Sequence, residues 1–357
     1  MKSLNSLLLN TILLVSVHSC HAAYKTHHVL GVDQALMDVY VPCSDAELGE
    51  YTHGVAIKKG DSVGIESDIA QQLVAKVTSP SKQHAGGAVA NVIAGMASLG
   101  ANVAMVSARG NDTHGHCFDQ DMKEMGAEHF GTIIDHGLTG VVYSFITPDG
   151  ERTMLAYPGV SHLINHNDVQ IDRIQKYQML LSCGYMWYAE HGAQVVTEAF
   201  RRTRDAGTKN VFALASPHVV KTFRDQLIDL FSSVDILVGN EEEFFTLCDT
   251  EDLYVVYSKM QKIVPMAVIT RAAQGADIVI DGRVIHVSVH QKVDRVVDTT
   301  GAGDIFLAGF LYGQTHGMSI RQSAMLGNAL AGRLIQQVGA RPEFDTKEVL
   351  DGFRHID

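Results

Sequence analysis

The most informative part of the sequence is Asp298-Thr299-Thr300-Gly301-Ala302-Gly303-Asp304, which the apolar run 305–311 follows directly. Two carboxylates bracket a run of small residues, a pattern that predicts a tight turn opening into a buried helix. The small residues would let a phosphate approach the backbone closely, and the unpaired amides at the start of a helix attract an anion. Beside a phosphoryl group, Asp304 would be placed to accept the proton of a substrate hydroxyl.

The same residues also fit a purely structural role, because Gly-Ala-Gly before a helix is often a packing turn and Asp is a common helix cap. The complete string is more specific than its parts. It closely resembles the C-terminal signature of the ribokinase-like, PfkB-type carbohydrate and nucleoside kinases. This resemblance implies that Asp304 is the catalytic base and that the anion hole is formed by the amides of Gly301, Ala302 and Gly303.

The composition is ordinary for a soluble globular protein. The chain has 357 residues, of which 46% are hydrophobic and 19% charged, enough for one large domain or two small ones. The formal net charge of -12 argues against a nucleic-acid or anionic-membrane partner. The five cysteines are widely spaced and odd in number, which argues against a disulfide framework or a zinc knuckle and favours a reducing compartment.

The N-terminal residues 1–23 differ from the rest of the chain. One Lys precedes a short apolar run, and the segment ends in Ser19-Cys20-His21-Ala22-Ala23, which resembles a secretory or lipoprotein signal. The run is too short for a stable membrane span. An enzyme that needs ATP and has unpaired cysteines fits the cytoplasm better. We therefore expect an upstream extension before a cytoplasmic domain, with export or a lipid anchor as the alternative.

From residue 177 onward, short apolar runs alternate with helical stretches, and the last helix is predicted over residues 321–338. Such alternation predicts a parallel sheet covered by helices on both faces. Residues 139–157 carry a hairpin pattern around the turn Pro148-Asp149-Gly150. With the resemblance, these patterns predict a ribokinase-like three-layer α/β/α fold over residues 27–357. It would have a mostly parallel central sheet and a small β lid near residues 38–66 and 132–157.

The expected substrate residues follow the first strand. The segment 31–38 resembles the substrate-binding start of the adenosine-kinase-like branch of the family, Gly-x-Gly-Asn-Ala-Leu-x-Asp, which implies that Asp38 holds sugar hydroxyls. Two residues depart from that pattern, since Asp33 stands in place of Gly, and Gln34, which is also expected to bind the substrate, stands in place of Asn. Either change could alter specificity or weaken binding. A solvated acid at a strand edge is the structural alternative for Asp38.

A second substrate segment begins with paired glycines. Gly86 and Gly87 lead into a small-residue helix that carries Asn91 on its first turn, which looks like the Gly-Gly-x-x-x-Asn sugar site of the family. Paired glycines also occur where a helix packs closely on a sheet. In the predicted lid, Arg152 is placed to reach the phosphate or the substrate, and a solvated charge is its alternative.

The nucleotide and metal residues are expected at later strand ends. Asn240 and Glu243 resemble the Asn-x-x-Glu motif of the family, whose carboxylate organises Mg²⁺ through water, although ordinary helix capping also explains them. Ala272 stands where the family has Gly. The residues expected to contact ATP are Asn240, Thr270, Arg271, Gly275 and Asn328.

Together these patterns predict an ATP- and Mg²⁺-dependent kinase that phosphorylates a primary hydroxyl of an adenosine-like nucleoside or a sugar. A sugar or sugar-phosphate kinase of the same fold is one alternative. The departures at Asp33, Gln34 and Ala272 leave open a nucleoside- or nucleotide-binding protein with little catalysis. In the family, lid strands sometimes pair between subunits, which leaves a homodimer open.

Overall fold

The computed structural model describes residues 25–78, 82–290 and 293–353. The predicted extension of residues 1–23 lies outside these ranges. Within them, no helix is both long enough and apolar enough to cross a membrane.

The described residues contain sixteen strands. They are β1 His27–Val32, β2 Leu36–Pro42, β3 Ser62–Gly64, β4 Lys82–Gly86, β5 Val103–Val106, β6 Arg109–Gly110, β7 Glu128–Phe130, β8 Ile133–Ile134, β9 Gly140–Ile146, β10 Arg152–Tyr157, β11 Tyr177–Cys183, β12 Lys209–Ala213, β13 Ile236–Asn240, β14 Met266–Thr270, β15 Ala276–Ile280 and β16 Arg283–Val287.

Twelve α-helices lie between or after these strands in the described ranges. They are α1 Asp45–Tyr51, α2 Ser67–Lys76, α3 Ala88–Ser98, α4 Thr113–Glu124, α5 Ile171–Ile174, α6 Gly192–Thr203, α7 Pro217–Leu230, α8 Glu241–Cys248, α9 Leu253–Ile263, α10 Ala302–Thr315, α11 Ile320–Leu334 and α12 Thr346–Asp351. The last predicted helix therefore ends at residue 334 rather than 338, and α12 follows it.

A nine-stranded sheet forms the centre of the protein, in the order β16-β15-β14-β13-β12-β11-β1-β5-β7. The seven strands from β14 to β7 run parallel, and β15 and β16 are added antiparallel. Neighbouring residues of β1 point to opposite faces, with Val29 in the core under α3, α10 and α11, and Leu30 in the core under α6 to α9. The sheet is therefore covered on both faces, as predicted.

A second, five-stranded sheet has the order β3-β10-β9-β2-β4. One face buries Val39 and Tyr143 in a cluster with side chains of α1, α2 and α4, and the ring of Tyr51 on α1 stacks 4.7 Å from that of Phe145. The other face carries Asp38 and Arg152. We interpret this sheet as the lid. It contains β4 as well, which the sequence did not assign to the lid.

Helices α10 and α11 cross closely because glycines meet at their contact. A Cβ on Gly309 would lie 2.8 Å from Leu330 Cδ1 and 2.9 Å from the Cα of Gly327. A Cβ on Gly327 would in turn lie 2.6 Å from the carbonyl oxygen of Phe306. The contact fixes α10, whose first turn contains Asp304, against the helix behind it.

The substitution Gly309→Ala is expected to destabilise the protein by about 1–3 kcal/mol, the usual cost of overpacking a close contact. A matched control is Gly332→Ala in α11, where the nearest atom to an added Cβ is Val293 Cγ2 at 3.6 Å. This control should be neutral or stabilising by about 0.5–1 kcal/mol, because alanine favours a helix over glycine. Urea unfolding of both variants checks this, and equal losses would contradict the close-crossing explanation.

Candidate active site

The signature stretch forms a turn that leads directly into α10. The amide of Ala302 donates to the carbonyl of Thr299 at 3.1 Å, and Gly301 adopts a left-handed φ of 74° as the N-cap residue. A Cβ on Gly301 would lie 2.5 Å from Cβ of Ala340. Glycine is therefore required here both by the backbone conformation and by the close approach of the chain near its C-terminus.

Within the first turn of α10 the open amides are those of Gly303 and Asp304. Neither they nor the amide of the N-cap residue Gly301 has a hydrogen-bond acceptor within the described part of the chain, whereas the amide of Ala302 is used by the turn. Gly303 is exposed, and no atom lies within 4 Å of where its Cβ would stand. The predicted anion hole at 301–303 thus lies at the N-cap and first turn of a 14-residue helix, where the amide of Asp304 is a further open donor.

Asp304 sits half-buried at this helix start. The side-chain amide of Asn91, on α3, donates to its Oδ2 at 2.8 Å, so Oδ1 remains without a donor in the described residues. Burial raises the pKa of Asp304 to about 7; the Asn91 hydrogen bond and the charge of Arg341 act in the opposite direction, and Asp33 and Asp38 add to the increase. A carboxylate with a pKa near neutrality is suited to accept a proton.

Asp38 lies on the face of the smaller sheet that carries Arg152. A Cβ on Gly86 would overlap the carboxylate of Asp38, so this glycine provides the space that the carboxylate occupies. No hydrogen-bond donor to Asp38 is present in the described ranges. Burial raises its pKa to about 6, against an opposing effect of the Arg341 charge. A half-buried carboxylate without donors is well suited to bind hydroxyl groups.

The departure at Asp33 has a structural explanation. Its buried carboxylate accepts hydrogen bonds from the amide of Gln34 at 2.8 Å and from the amide of Val89 at 3.4 Å, in the first turn of α3. The thiol of Cys183 lies 3.5 Å away as a third donor. Gly87, with a φ of 96°, is the N-cap residue of α3 and has no capping side chain. Asp33 therefore accepts a hydrogen bond from an otherwise uncapped amide at the start of α3, the helix that carries Asn91.

Gln34 is likewise held within the protein. Its Nε2 donates to the carbonyl oxygen of Tyr185 at 3.1 Å, and the hydroxyl of Ser161 donates to its Oε1 at 3.3 Å. Neither Tyr185 nor Ser161 was identified from the sequence. Both follow strand ends, in short 3-10 helices, and no local pattern marks them as partners of Gln34.

Arg152 connects the smaller sheet to the signature stretch. Its guanidinium donates to Asp298 at 2.9 Å and to the hydroxyl of Thr300 at 3.3 Å. Asp298 also accepts the amide of Gly339 at 2.6 Å. The first carboxylate of the signature therefore ties β10 to the turn before α10.

Asn240 and Glu243 form a reciprocal cap at the start of α8. The backbone amide of Glu243 donates to Asn240 Oδ1 at 2.8 Å, and the backbone amide of Asn240 donates to Glu243 Oε2 at 3.0 Å. A Cβ on Gly239 would lie 2.7 Å from that Oε2, so the glycine makes room for the carboxylate. Burial raises the pKa of Glu243 to about 7; the bond from the Asn240 amide lowers it, and the charge of Asp304 raises it further.

These acids fit a hydrated Mg²⁺. Glu243 has no ion-pair partner in the described part of the chain, and its charge adds to that of Asp304, so a dication nearby would be stabilised. The described residues contain no group of three or more His, Cys, Asp or Glu side chains able to hold a metal.

The remaining predicted nucleotide residues extend along the same edge of the central sheet. Thr270 pairs with Asn240 across β13 and β14, and Asn328 on α11 donates to the carbonyl of Val287 at 3.0 Å. Gly275 has a φ of 94°, and a Cβ there would overlap that same carbonyl. The guanidinium of Arg271 is also engaged, with Asp277 at 3.1 Å and Glu241 at 3.4 Å.

Ala272 and Ala215 adopt left-handed backbone conformations, with φ of 47° and 78°. Both lie just beyond strand ends at this edge, and alanine is strained in such a conformation. Glycine would adopt it freely, which explains why the resemblance places Gly near Ala272. The backbone at residue 272 nevertheless takes the glycine-like conformation.

The open helix start with its adjacent carboxylate, placed beside a second sheet over a three-layer core, defines a ribokinase-like phosphotransferase fold. The adenosine kinase of Sinorhizobium meliloti superimposes with a TM-score of 0.81 at 29% identity, covering 92% of this chain and 99% of that one. A probable sugar kinase of Rhizobium etli superimposes with the same TM-score at 28% identity and the same coverage.

The family follows from the sequence profile of the pfkB family carbohydrate kinases, which matches residues 56–347. The chain belongs to this family, whose members are ATP-dependent phosphotransferases. Among its relatives, an uncharacterized sugar kinase of Archaeoglobus fulgidus is 26% identical over 69% of this chain and 96% of its own. A probable chloroplastic fructokinase of Arabidopsis thaliana is 27% identical, over 75% and 74% respectively. An ATP-dependent ribose-1-phosphate kinase of Halopiger xanaduensis is 25% identical, over 73% and 83%.

The substitution Asp304→Asn is expected to raise the melting temperature at pH 8 by roughly 2 °C. A carboxyl whose pKa is raised in the folded state lowers the free energy of unfolding at any pH above its unfolded-state pKa. For Asp304 this loss is complete once the pH exceeds the folded-state pKa of about 7. The gain should shrink as the pH falls from 7 to 4, because the folded-state carboxyl becomes protonated. The exposed Asp225→Asn is the matched control and should leave the melting temperature unchanged. A lower melting temperature for Asp304→Asn at pH 8 would contradict this electrostatic account.

Proposed function

We propose that this protein transfers the γ-phosphoryl group of ATP to a primary hydroxyl of an uncharged nucleoside or sugar. The observation that carries the proposal is the geometry at the start of α10, where two open amides and the free oxygen of Asp304 stand together. The unpaired carboxylate of Asp38 acts electrostatically on Asp304 and supplies the second half of the site.

In this reaction Asp304 accepts the hydroxyl proton at Oδ1, the oxygen that Asn91 leaves free. Asn91 fixes the rotation of the carboxylate through Oδ2. The amides of Gly303 and Asp304, at the positive end of the helix dipole, stabilise negative charge on phosphoryl oxygens. When bound, ATP supplies the transferred group and Mg²⁺ neutralises phosphate charge, with Glu243 and Asn240 orienting the water around the ion.

The smaller sheet positions the acceptor and excludes water. Asp38 binds acceptor hydroxyls from one strand of this sheet, and Arg152 on another strand already contacts the turn before α10 through Asp298. A lid attached to the phosphate-binding turn in this way limits the access of water, which would otherwise compete with the acceptor.

The charge distribution supports an uncharged acceptor. Four basic side chains act on Asp38 or Asp304 or lie on the face of the smaller sheet that carries Asp38: Arg341, Arg152, His84 and Lys82. Three of them are engaged, Arg152 with Asp298, Lys82 with Glu343 and Arg341 with backbone carbonyls. Burial lowers the pKa of His84 to about 4, which leaves it neutral at pH 7. A phosphate or carboxylate on the acceptor would therefore face Asp38 without a free counter-charge.

The two alternatives differ in their support. A sugar-phosphate acceptor is suggested by the ribose-1-phosphate kinase among the relatives, whereas the adenosine kinase structure at 29% identity favours a nucleoside. A binding protein with little catalysis was suggested by Asp33, Gln34 and Ala272. The side chains of Asp33 and Gln34 are hydrogen-bonded within the protein, and the backbone at Ala272 has the left-handed conformation that glycine favours, so these departures do not favour the binding-only alternative.

The decisive experiment is a phosphoryl-transfer assay with ATP and Mg²⁺ across nucleosides, pentoses, hexoses and sugar phosphates. Asp304→Asn should lower kcat by roughly a thousandfold or more, since it removes both the base and its charge. Asp38→Asn should mainly raise KM, and the exposed Asp225→Asn should retain wild-type turnover. If no acceptor is phosphorylated while a nucleoside or nucleotide still binds, the protein is a binder on this fold.

The charge of the acceptor is tested with matched pairs in which both members keep a primary hydroxyl, such as ribose against ribose 1-phosphate and adenosine against adenosine 3′-monophosphate. The uncharged member should have the larger kcat/KM by about 100-fold, because like charges at a site cost several kcal/mol. Asp38→Asn should narrow that ratio by removing the carboxylate. A larger kcat/KM for the phosphorylated member would exclude the uncharged acceptor while leaving the kinase assignment intact.

A further inference from the structure

Arg341 is a buried arginine close to the two proposed substrate-site carboxylates, on the chain that follows α11. Its side chain is 9% exposed. The guanidinium donates from Nη1 to the carbonyl of Ala90 at 3.0 Å, and from Nη2 to the carbonyl of Ala85. Its Nε has no partner among the described atoms. The buried guanidinium therefore hydrogen-bonds two backbone carbonyls that lie about 250 residues earlier in the chain.

The two acceptors bracket the Gly86-Gly87 segment. Ala85 directly precedes Gly86, and Gly86 leaves the space that the carboxylate of Asp38 occupies. Ala90 directly precedes Asn91, and Asn91 donates the hydrogen bond that orients Asp304. The same Ala85 is also held on its other side, because Asp121 on α4 accepts its amide at 2.8 Å. Asp121 lies 3.9 Å from the guanidinium of Arg341. Residue Ala85 is thus fixed at both of its backbone polar groups, because its amide donates to Asp121 and its carbonyl accepts from Arg341.

The guanidinium also acts on the charges of the cleft. It lowers the pKa of both Asp38 and Asp304, in each case against the larger effect of burial. The other charged groups that act on Asp304 are Asp33 and Asp38, which raise its pKa, and its own charge raises that of Glu243. Asn91 is the neutral neighbour that donates to it. Arg341 is therefore the cation that opposes this concentration of carboxylates.

We propose that Arg341 is a positioning residue for phosphoryl transfer, which holds the Gly86-Gly87 segment through two carbonyls and supplies positive charge to the cleft of Asp38 and Asp304. This inference rests on the proposed function. A planar guanidinium can serve both carbonyls at once, whereas the compact ammonium of lysine keeps the charge without that geometry. The two contributions can therefore be separated by substitution.

Three variants separate them: Arg341→Met, Arg341→Lys and Asp121→Asn. Asp304 must be ionised to accept a proton, so the acidic limb of kcat/KM follows its pKa. Arg341→Met removes the cation and should move that limb upward by about 0.5–1 pH unit. Arg341→Lys should leave the limb near its wild-type position while lowering kcat by about tenfold. Asp121→Asn loosens the Ala85 amide but removes none of the charges that act on Asp304, so it should leave the limb near its wild-type position.

The contrast between Arg341→Met and Asp121→Asn is the central test, because each removes a hydrogen bond to Ala85 but only Arg341→Met removes the cation that acts on Asp304. Should Arg341→Met fail to fold, Arg341→Gln replaces it, since it also removes the positive charge. A limb that stays at its wild-type position in a folded Arg341→Met or Arg341→Gln overturns the electrostatic contribution. Such a limb would belong to another group, such as Glu243.

Hydrogen exchange tests the backbone contribution without any turnover. Amides of residues 86–91 should exchange about tenfold faster in Arg341→Lys and Arg341→Met than in the wild-type protein, while those of α7 should be unchanged. Unchanged exchange at 86–91 in both variants overturns the positioning role. If the wild-type protein phosphorylates no acceptor, the proposed function fails, but this exchange result still reports on Arg341.

Discussion

Burial of like charge is the constraint on which the rest of this structure depends. Glu243 is buried and Asp304 and Asp38 are half-buried, and burial is the first cause of the raised pKa of each. Such a group is costly in the folded protein unless something compensates it. The compensation comes from distant parts of the chain, through the Asn91 amide and the guanidinium of Arg341. These carboxylates with raised pKa values are thus maintained at the expense of stability, a pattern typical of active sites.

Small residues provide the space that these acids need. Gly86 admits the carboxylate of Asp38, Gly239 that of Glu243, and Gly301 lets the C-terminal chain approach the turn before α10. Each is explained by a specific neighbour, and two of the three neighbours are the acids themselves. The glycines at 86 and 239 therefore depend on the carboxylates beside them, because a Cβ at either position would overlap the charged side chain.

The sequence was sufficient wherever the signal was local. The signature stretch predicted the turn, the apolar helix and the place of Asp304, and the alternating runs predicted a sheet covered on both faces. Partners that lie far apart in the sequence could not be read in this way. Nothing near Arg341 indicates that it reaches Ala85 and Ala90, since the pairing arises only when β4, α3 and the chain after α11 come together.

Asp33 shows a related limit. As a departure from a family pattern it suggested an altered substrate pocket, yet its carboxylate serves the amides at the start of α3. A pattern identifies the position but not the direction in which the side chain points. Similarly, β4 joins the smaller sheet through pairing with β2, although no sequence feature before it resembles a lid. Side-chain direction and sheet partners are set by tertiary packing, which outweighs local preference.

The smaller sheet carries its own hydrophobic covering, with α1, α2 and α4 packed against Val39, Tyr143 and Phe145. Its apolar face is thus completed within one polypeptide, and a second subunit is not required to shield it from water. Pairing between copies through that face would first have to displace these helices. Burial of this apolar face therefore does not require association of two chains. In an obligate dimer, by contrast, the stability of such a sheet would depend on protein concentration.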